Sequence, residues 1–191
     1  MIAVWIVGGI ILFLGLMGIG YYNRFVKLYE RVKNSWGQID VQLQRRMDLI
    51  PNLVETVKGY AKYEKETLEN VMNARNRYLS SNNSVDKMKL SNEMGGFLTR
   101  LMAISEAYPD LKANSNFLDL QKQLEETETK IGFSRQFYND TVTSYNQAIK
   151  MFPANIVANI FNFKEAEFFV ADEKAKENIQ VRFWKNNEVI K

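Results

Sequence analysis

Two groups of polar side chains in this chain could do chemistry. The first is Glu125, Glu126 and Glu128, three carboxylates within four positions. Carboxylates so placed can hold a hard cation or trade protons. On a helix, Glu125 and Glu128 share a face while Glu126 points elsewhere. The competing reading is a solvated helix face, and composition favours it. The chain has no histidine and no cysteine. The commonest metal ligand, the commonest general base near neutral pH and every thiolate are therefore missing. A di-iron bundle of the Glu-x-x-His kind is excluded. No catalytic residue, metal or cofactor is expected.

The second group falls in two proline-containing stretches. Arg45, Arg46, Asp48 and Asn52 surround Pro51; Asp110, Lys112 and Asn114 follow Pro109. Charged groups held on rigid helices can form a docking surface for a protein partner. The alternative is that Asp48, Asp110 and Asn114 cap helices while the basic residues are solvated. Tyr60, Tyr63, Tyr78, Tyr138 and Tyr145 read as core aromatics with hydrogen-bonded hydroxyls, not as a ligand box. The net charge of +3 is too weak to argue for nucleic acid.

The elements that must position these groups are helices. Apolar residues recur every three or four positions at Phe25, Tyr29, Val32, Trp36, Ile39 and Leu43, then at Ile50, Leu53, Val57 and Tyr60. Between the two runs lies Asp48–Asn52. Pro51 removes a backbone donor and disfavours helix just before it, so a turn is expected there, with a kinked continuous helix as the alternative. Ser80–Ser84 is a polar turn. Phe117, Leu124, Ile131, Tyr138, Tyr145 and Phe152 form an unbroken seven-residue seam. Thr127, Glu128, Ser134 and Arg135 fall near its complement and must be paired or lie at its edge.

The expected fold is all-α: an N-terminal transmembrane helix followed by an antiparallel four-helix up-and-down bundle. Residues 1–22 are the anchor. Residues 23–152 are the bundle, with helices at about 23–47, 50–80, 84–107 and 115–152. Residues 153–191 carry a short helix, packed on the bundle or partly disordered. With a helix ending at each turn, Asp48–Asn52 and Tyr108–Asn114 lie far from the membrane. Ser80–Ser84 and Phe152-Pro153 lie near it.

The anchor is read from residues 2–22, which contain no charge. At 1.5 Å per residue they span about 31 Å, the thickness of a hydrocarbon core. Eleven residues from Ile2 to Gly20 are Ile, Leu, Val or Phe, together about −3 to −7 kcal/mol on an insertion scale. Trp5, Tyr21 and Tyr22 sit where interfacial aromatics do, and Arg24 and Lys27 follow on the polar side. Arg24, Lys27, Arg31 and Lys33 against Glu30 put the following domain in the cytoplasm and the N-terminus outside. Gly8 and Gly15 share a face, which leaves a homo-oligomer open.

Several runs resemble the LemA family. They are Ile39 to Val54 (IDVQLQRRMDLIPNLV), Val57 to Ala61 (VKGYA), Tyr108 to Asn114 (YPDLKAN), Leu124 to Glu128 (LEETE) and Arg135 to Asn139 (RQFYN). The resemblance implies a bacterial, single-pass protein of the cell membrane built on a four-helix bundle. It implies no established enzymatic activity and offers no catalytic residues to carry over. Relatives are linked to envelope and stress biology, and one branch belongs to magnetosome membranes. The leading expectation is a non-enzymatic scaffold or adaptor with an unnamed protein partner. The alternatives are a homo-oligomeric membrane-shaping protein and a regulator of a membrane protease or envelope stress sensor.

Overall fold

The computed structural model describes residues 1–170. The remaining stretch of the C-terminal segment, and the expectation that it packs or frays, lie outside the described residues. Six helices follow in order: α1 (Ile2–Tyr60), α2 (Lys65–Ser80), α3 (Ser84–Ala107), α4 (Pro109–Lys112), α5 (Ser115–Lys150) and α6 (Ala154–Ile160).

The expected turn at Asp48–Asn52 is absent. α1 runs without interruption from the apolar N-terminal stretch through Pro51 to Tyr60, so the helices expected at 23–47 and 50–80 become one helix and a separate α2. The physical reason lies in α2. Proline has no N–H, so the carbonyl four residues earlier, that of Met47, loses its helical donor. Arg75 Nε supplies the missing bond, donating to Met47 O at 2.8 Å. The chain turns instead at Ala61–Glu64, where Glu64 N donates to Ala61 O.

The apolar pattern of α1 also ignores Pro51. Phe25, Val32, Ile39, Arg46 and Leu53 are spaced by seven, and Leu43, Ile50 and Val57 lie four beyond the last three of them; all are buried. That is a heptad seam, and α5 is its partner. The pairing is antiparallel and in register over its whole length. Tyr29 meets Tyr145, Trp36 meets Tyr138, Arg46 meets Glu128 and Tyr60 meets Asn114. In each pair the two residue numbers add to 174.

α2 and α3 form a hairpin on this long pair, tied by the Arg77–Glu93 ion pair. The hairpin covers only the end nearer Tyr60. Tyr78 and Lys87, either side of its 81–83 turn, both reach Asp40. Asp40 is eighteen residues, about 27 Å, beyond Tyr22. The Ser80–Ser84 turn therefore does not return to the level of the apolar segment, because α2 is too short. Asn83 and Asn114 cap α3 and α5, accepting from Val85 N and Phe117 N at 3.0 Å.

Phe152 is corrected too. It continues the α5 heptad in sequence, but α5 ends at Lys150 and the ring is 82% exposed. Beyond α6 the chain reverses and runs back as an extended strap, residues 164–170. The first residues of α1, Ile2 to Leu16, are exposed throughout. α1 is long and apolar enough there to cross a membrane.

Candidate functional site

Where the two long helices and α3 converge, the side chain filling a core position is a charged one. Arg46 occupies a heptad slot of α1 and is 1% exposed. Its Nη1 donates to the Glu128 carboxylate at 3.0 and 3.4 Å. Its Nη2 donates to the Ser91 carbonyl at 2.9 Å and to Ser91 Oγ at 2.7 Å. Ser91 Oγ also accepts from Arg135 Nη2 at 2.9 Å. One serine and one carboxylate thus hold two guanidinium groups. Burial, then the neighbouring Arg46 charge, pull the Arg135 pKa down to about 10, and Glu128 opposes them. The Nε atoms of Arg46 and Arg135 are buried without a partner.

Arg135 links this cluster to the strap. Its guanidinium lies 4.2 Å from the centre of the Phe169 ring. Phe169 is buried and also faces Trp36. The rest of the strap is held by a repeat within α5, Tyr138-Asn139 and Tyr145-Asn146, seven residues apart. Asn146 donates to Ala166 O and accepts from Ala166 N, both at 2.9 Å. Asn139 does the same for Phe169, at 3.1 and 2.8 Å. Tyr145 Oη donates to Lys164 O and Tyr138 Oη to Glu167 O, each at 2.8 Å. The spacings match: seven helical residues rise about 10.5 Å, and three extended residues about 10 Å. Each side-chain amide acts as one rung of a sheet edge. Asn92 of α3 closes the ladder at Val170 O, 2.9 Å. Burial is the main cause raising the Tyr138 pKa to about 12, and it raises that of Tyr145 as well. A cleft of about 710 Å³ lies beside the strap, with Tyr29, Trp36, Tyr138 and Tyr145 in its wall.

A third group is centred on Asp40. It accepts from Tyr78 Oη at 2.9 Å and from Lys87 Nζ at 2.8 and 3.1 Å. Burial is the main cause raising the Tyr78 pKa, and the Asp40 hydrogen bond adds to it.

The residues expected to form one docking surface are divided. Arg46 is inside, so it offers no surface to a partner. Arg45, Asp48 and Asn52 are exposed along the middle of α1. Asp48 accepts from Gln44 Nε2 at 2.9 Å, and the Asn52 carbonyl accepts from Thr56 Oγ1 at 2.8 Å. Asp110, Lys112 and Asn114 are at the far tip, where Lys112 pairs with Glu106 at 2.6 Å and Asn114 donates to Tyr60 Oη at 2.9 Å. Loss of the turn at Pro51 separates the two sets, because α1 continues for eight residues, about 12 Å, past Asn52. Of the three carboxylates, Glu128 is engaged by Arg46 and Glu125 accepts from Gln121 at 3.1 Å. Trp5, Tyr22, Arg24 and Lys27 are exposed, and Tyr21 is half-buried beside Phe25.

The strap and its ladder escape a reading by hydrophobic spacing, because an asparagine beside a seam tyrosine looks like any solvated residue. The signal is the repeated Tyr-Asn pair at heptad distance. For Arg46 the signal is its place in the apolar repeat.

The LemA family model matches residues 35–183, which include the seam from Ile39 onward, Arg46, Arg135, the ladder and the strap. The chain is similar to magnetosome protein MamQ of Magnetospirillum gryphiswaldense, 28% identical over 174 residues, covering 78% of this chain and 64% of that one. A MamQ protein of Paramagnetospirillum magneticum is 27% identical over the same shares. Protein LemA of Metamycoplasma hominis is 27% identical over 173 residues, 86% of this chain and 78% of the relative. The chain spans 64% of the length of the magnetosome relatives it matches. With the family match covering most of its length, the chain belongs to the LemA family.

Proposed function

We propose that this chain is a non-enzymatic, membrane-anchored helical scaffold that holds a protein partner away from the bilayer. Residues 2–22 cross the bacterial cell membrane once, with the N-terminus outside. Residues 23–152 act in the cytoplasm as an antiparallel four-helix bundle of α1, α2, α3 and α5, and residues 153–191 form an appended segment. The observation that carries this reading is the continuity of α1, from the apolar stretch to Tyr60. Anchor and core share one helix, and the tip stands about 57 Å beyond Tyr22. The exposed basic residues Arg24, Lys27 and Arg31 support the orientation.

Partner contact is assigned to the tip, around Asp110, Lys112 and Asn114, and to the exposed face at Arg45, Asp48 and Asn52. A photo-crosslinker placed at Lys112 or Arg45 of the full chain, in its native membrane, tests this by mass spectrometry. Capture of one distinct protein at either position is expected. Turnover by the purified chain, or crosslinks to itself alone, would overturn the scaffold reading. A C-terminal reporter active only outside the cell would overturn the orientation.

A second reading, self-assembly, is favoured by one observation. Val41, Phe133 and Phe137 are exposed on the outer face of the long pair, and the register sets Val41 level with Phe133. Adjacent Gly37 and Gly132 leave open space there. Crosslinks between copies at Phe133 would select this reading.

A further inference from the structure

Tyr22, the last residue of the apolar segment, is met by the residues at the end of α6. α6 lies at this level. Tyr22 packs against Phe161 and Phe163 with ring centres 4.9 and 5.6 Å apart, and Phe163 reaches Phe25 at 5.3 Å. One face of α6, Ala154 and Ala158, is buried against the helices. The face bearing Ile156 and Ile160 is 51% and 71% exposed, and Phe152 and Phe161 beside it are 82% and 56% exposed. Charge is absent here too. From Met151 to Phe163 there is no Asp, Glu, Lys or Arg.

The end of α6 also satisfies its own backbone. Asn162 adopts φ 55°. Phe163 N donates to Ala158 O at 2.9 Å and Asn162 N to Asn159 O at 3.2 Å. This is a Schellman closure, with asparagine in the left-handed position, and it satisfies carbonyls that a helix end otherwise leaves to water.

We propose that α6 and its flanks form a second membrane contact, with Phe152, Ile156, Ile160 and Phe161 seated in the headgroup–acyl boundary beside the point where α1 leaves it. The inference rests on the reading that residues 2–22 cross the bilayer. Two further features select lipid as the occupant. The apolar face is continuous with the exit of the apolar segment through the Tyr22–Phe161–Phe163 contact. Exposed Arg24, Lys27 and Arg31 stand just beyond the same level, where anionic headgroups would meet them.

The absence of native cysteine makes the test direct. Single cysteines replace Ile156, Ile160, Leu12 or Tyr63 in the full chain. Each carries a fluorophore and is reconstituted in phosphatidylcholine–phosphatidylglycerol vesicles whose acyl chains are brominated at shallow or deep carbons. Positions 156 and 160 are expected to be quenched best by shallow bromine, at a depth of about 5–10 Å. Position 12 should be quenched best by deep bromine, and exposed position 63 at the turn by neither. If 156 and 160 behave like 63 while 12 is quenched, the second contact is overturned and the anchor stands. If 12 is also unquenched, the anchor fails and the inference fails with it. Disulfide crosslinks between unlabelled copies bearing the cysteine at 160, with no lipid quenching of the labelled protein, would assign the face to a second copy instead.

Discussion

Near the tip, α1 and α5 are covered by two more helices. Near the apolar segment, the same pair is covered by the extended residues 164–170. The difference shows what each kind of cover demands of the surface beneath it. A helix satisfies its own backbone, so α2 and α3 need from α1 mainly an apolar seam, with Leu68, Val71, Ala74, Met94, Leu98 and Leu101 buried in return. An extended segment carries unpaired N–H and C=O groups, and burying them unpaired is costly. α5 therefore changes character along its length. It presents Phe117, Leu124 and Ile131 towards the tip and the Tyr-Asn pairs towards the strap. Arg46 stands at the boundary, touching α3 and α5 directly and the strap through Ser91 and Arg135.

The largest expected effect comes at that boundary. Arg46→Ala empties a core slot and removes the guanidinium that joins Glu128 to Ser91, and should cost the full chain in detergent about 3 kcal/mol of denaturation stability, chiefly through the cavity. Arg46→Met keeps the volume and should recover most of the loss. Hydrogen exchange should quicken in both covers. Quickening in α2–α3 alone would show that the strap closes independently.

Next is the tip side alone. Arg75→Ala leaves the Met47 carbonyl without a donor, which should cost about 1–3 kcal/mol. Pro51→Ala restores a backbone N–H at that carbonyl. In its background, Arg75→Ala should cost about 1 kcal/mol less, a coupling visible in a double-mutant cycle. Additive costs would mean that Arg75 acts by packing.

Smaller effects belong to the strap. Asn139→Ala and Asn146→Ala should each cost about 1 kcal/mol. Together they should expose residues 164–170 to protease without changing exchange in α2 or α3. Cleavage that stays slow would show that Phe169 alone holds the strap.

The smallest signal is spectroscopic. Tyr138 has its folded pKa raised to about 12, above the ordinary tyrosine value near 10. Its contribution to stability is therefore complete below pH 10 and is lost as pH rises through about 12. Phenolate absorbance should show Tyr138 titrating late. Opening the strap with the double asparagine variant should bring it back towards the ordinary value and leave Tyr78 unchanged.

Much of this was legible in advance. Helical periodicity, the uncharged N-terminal run and the Asn114 cap follow from residue types and spacing. Pro51 misled, because its local effect is real but the remedy, Arg75, lies on another helix, and pairings of that kind cannot be read along a chain. The actual turn, Ala61–Glu64, contains neither glycine nor proline and carries no local signature. The charge of Arg46 points to the surface, yet the residue fills the slot between Ile39 and Leu53 that the seven-residue repeat requires. The strap could not be anticipated from apolar spacing, since its partners are polar and its register joins two different periods.

The uninterrupted α1 makes the molecule a lever. Helices that cross bilayers commonly lean by about 20°. With no joint between span and tip, that lean would swing the Tyr60 end sideways by about 20 Å over the 57 Å arm. On the proposed spanning reading, a thinner or thicker membrane that altered the lean would re-aim the tip without any change within the protein.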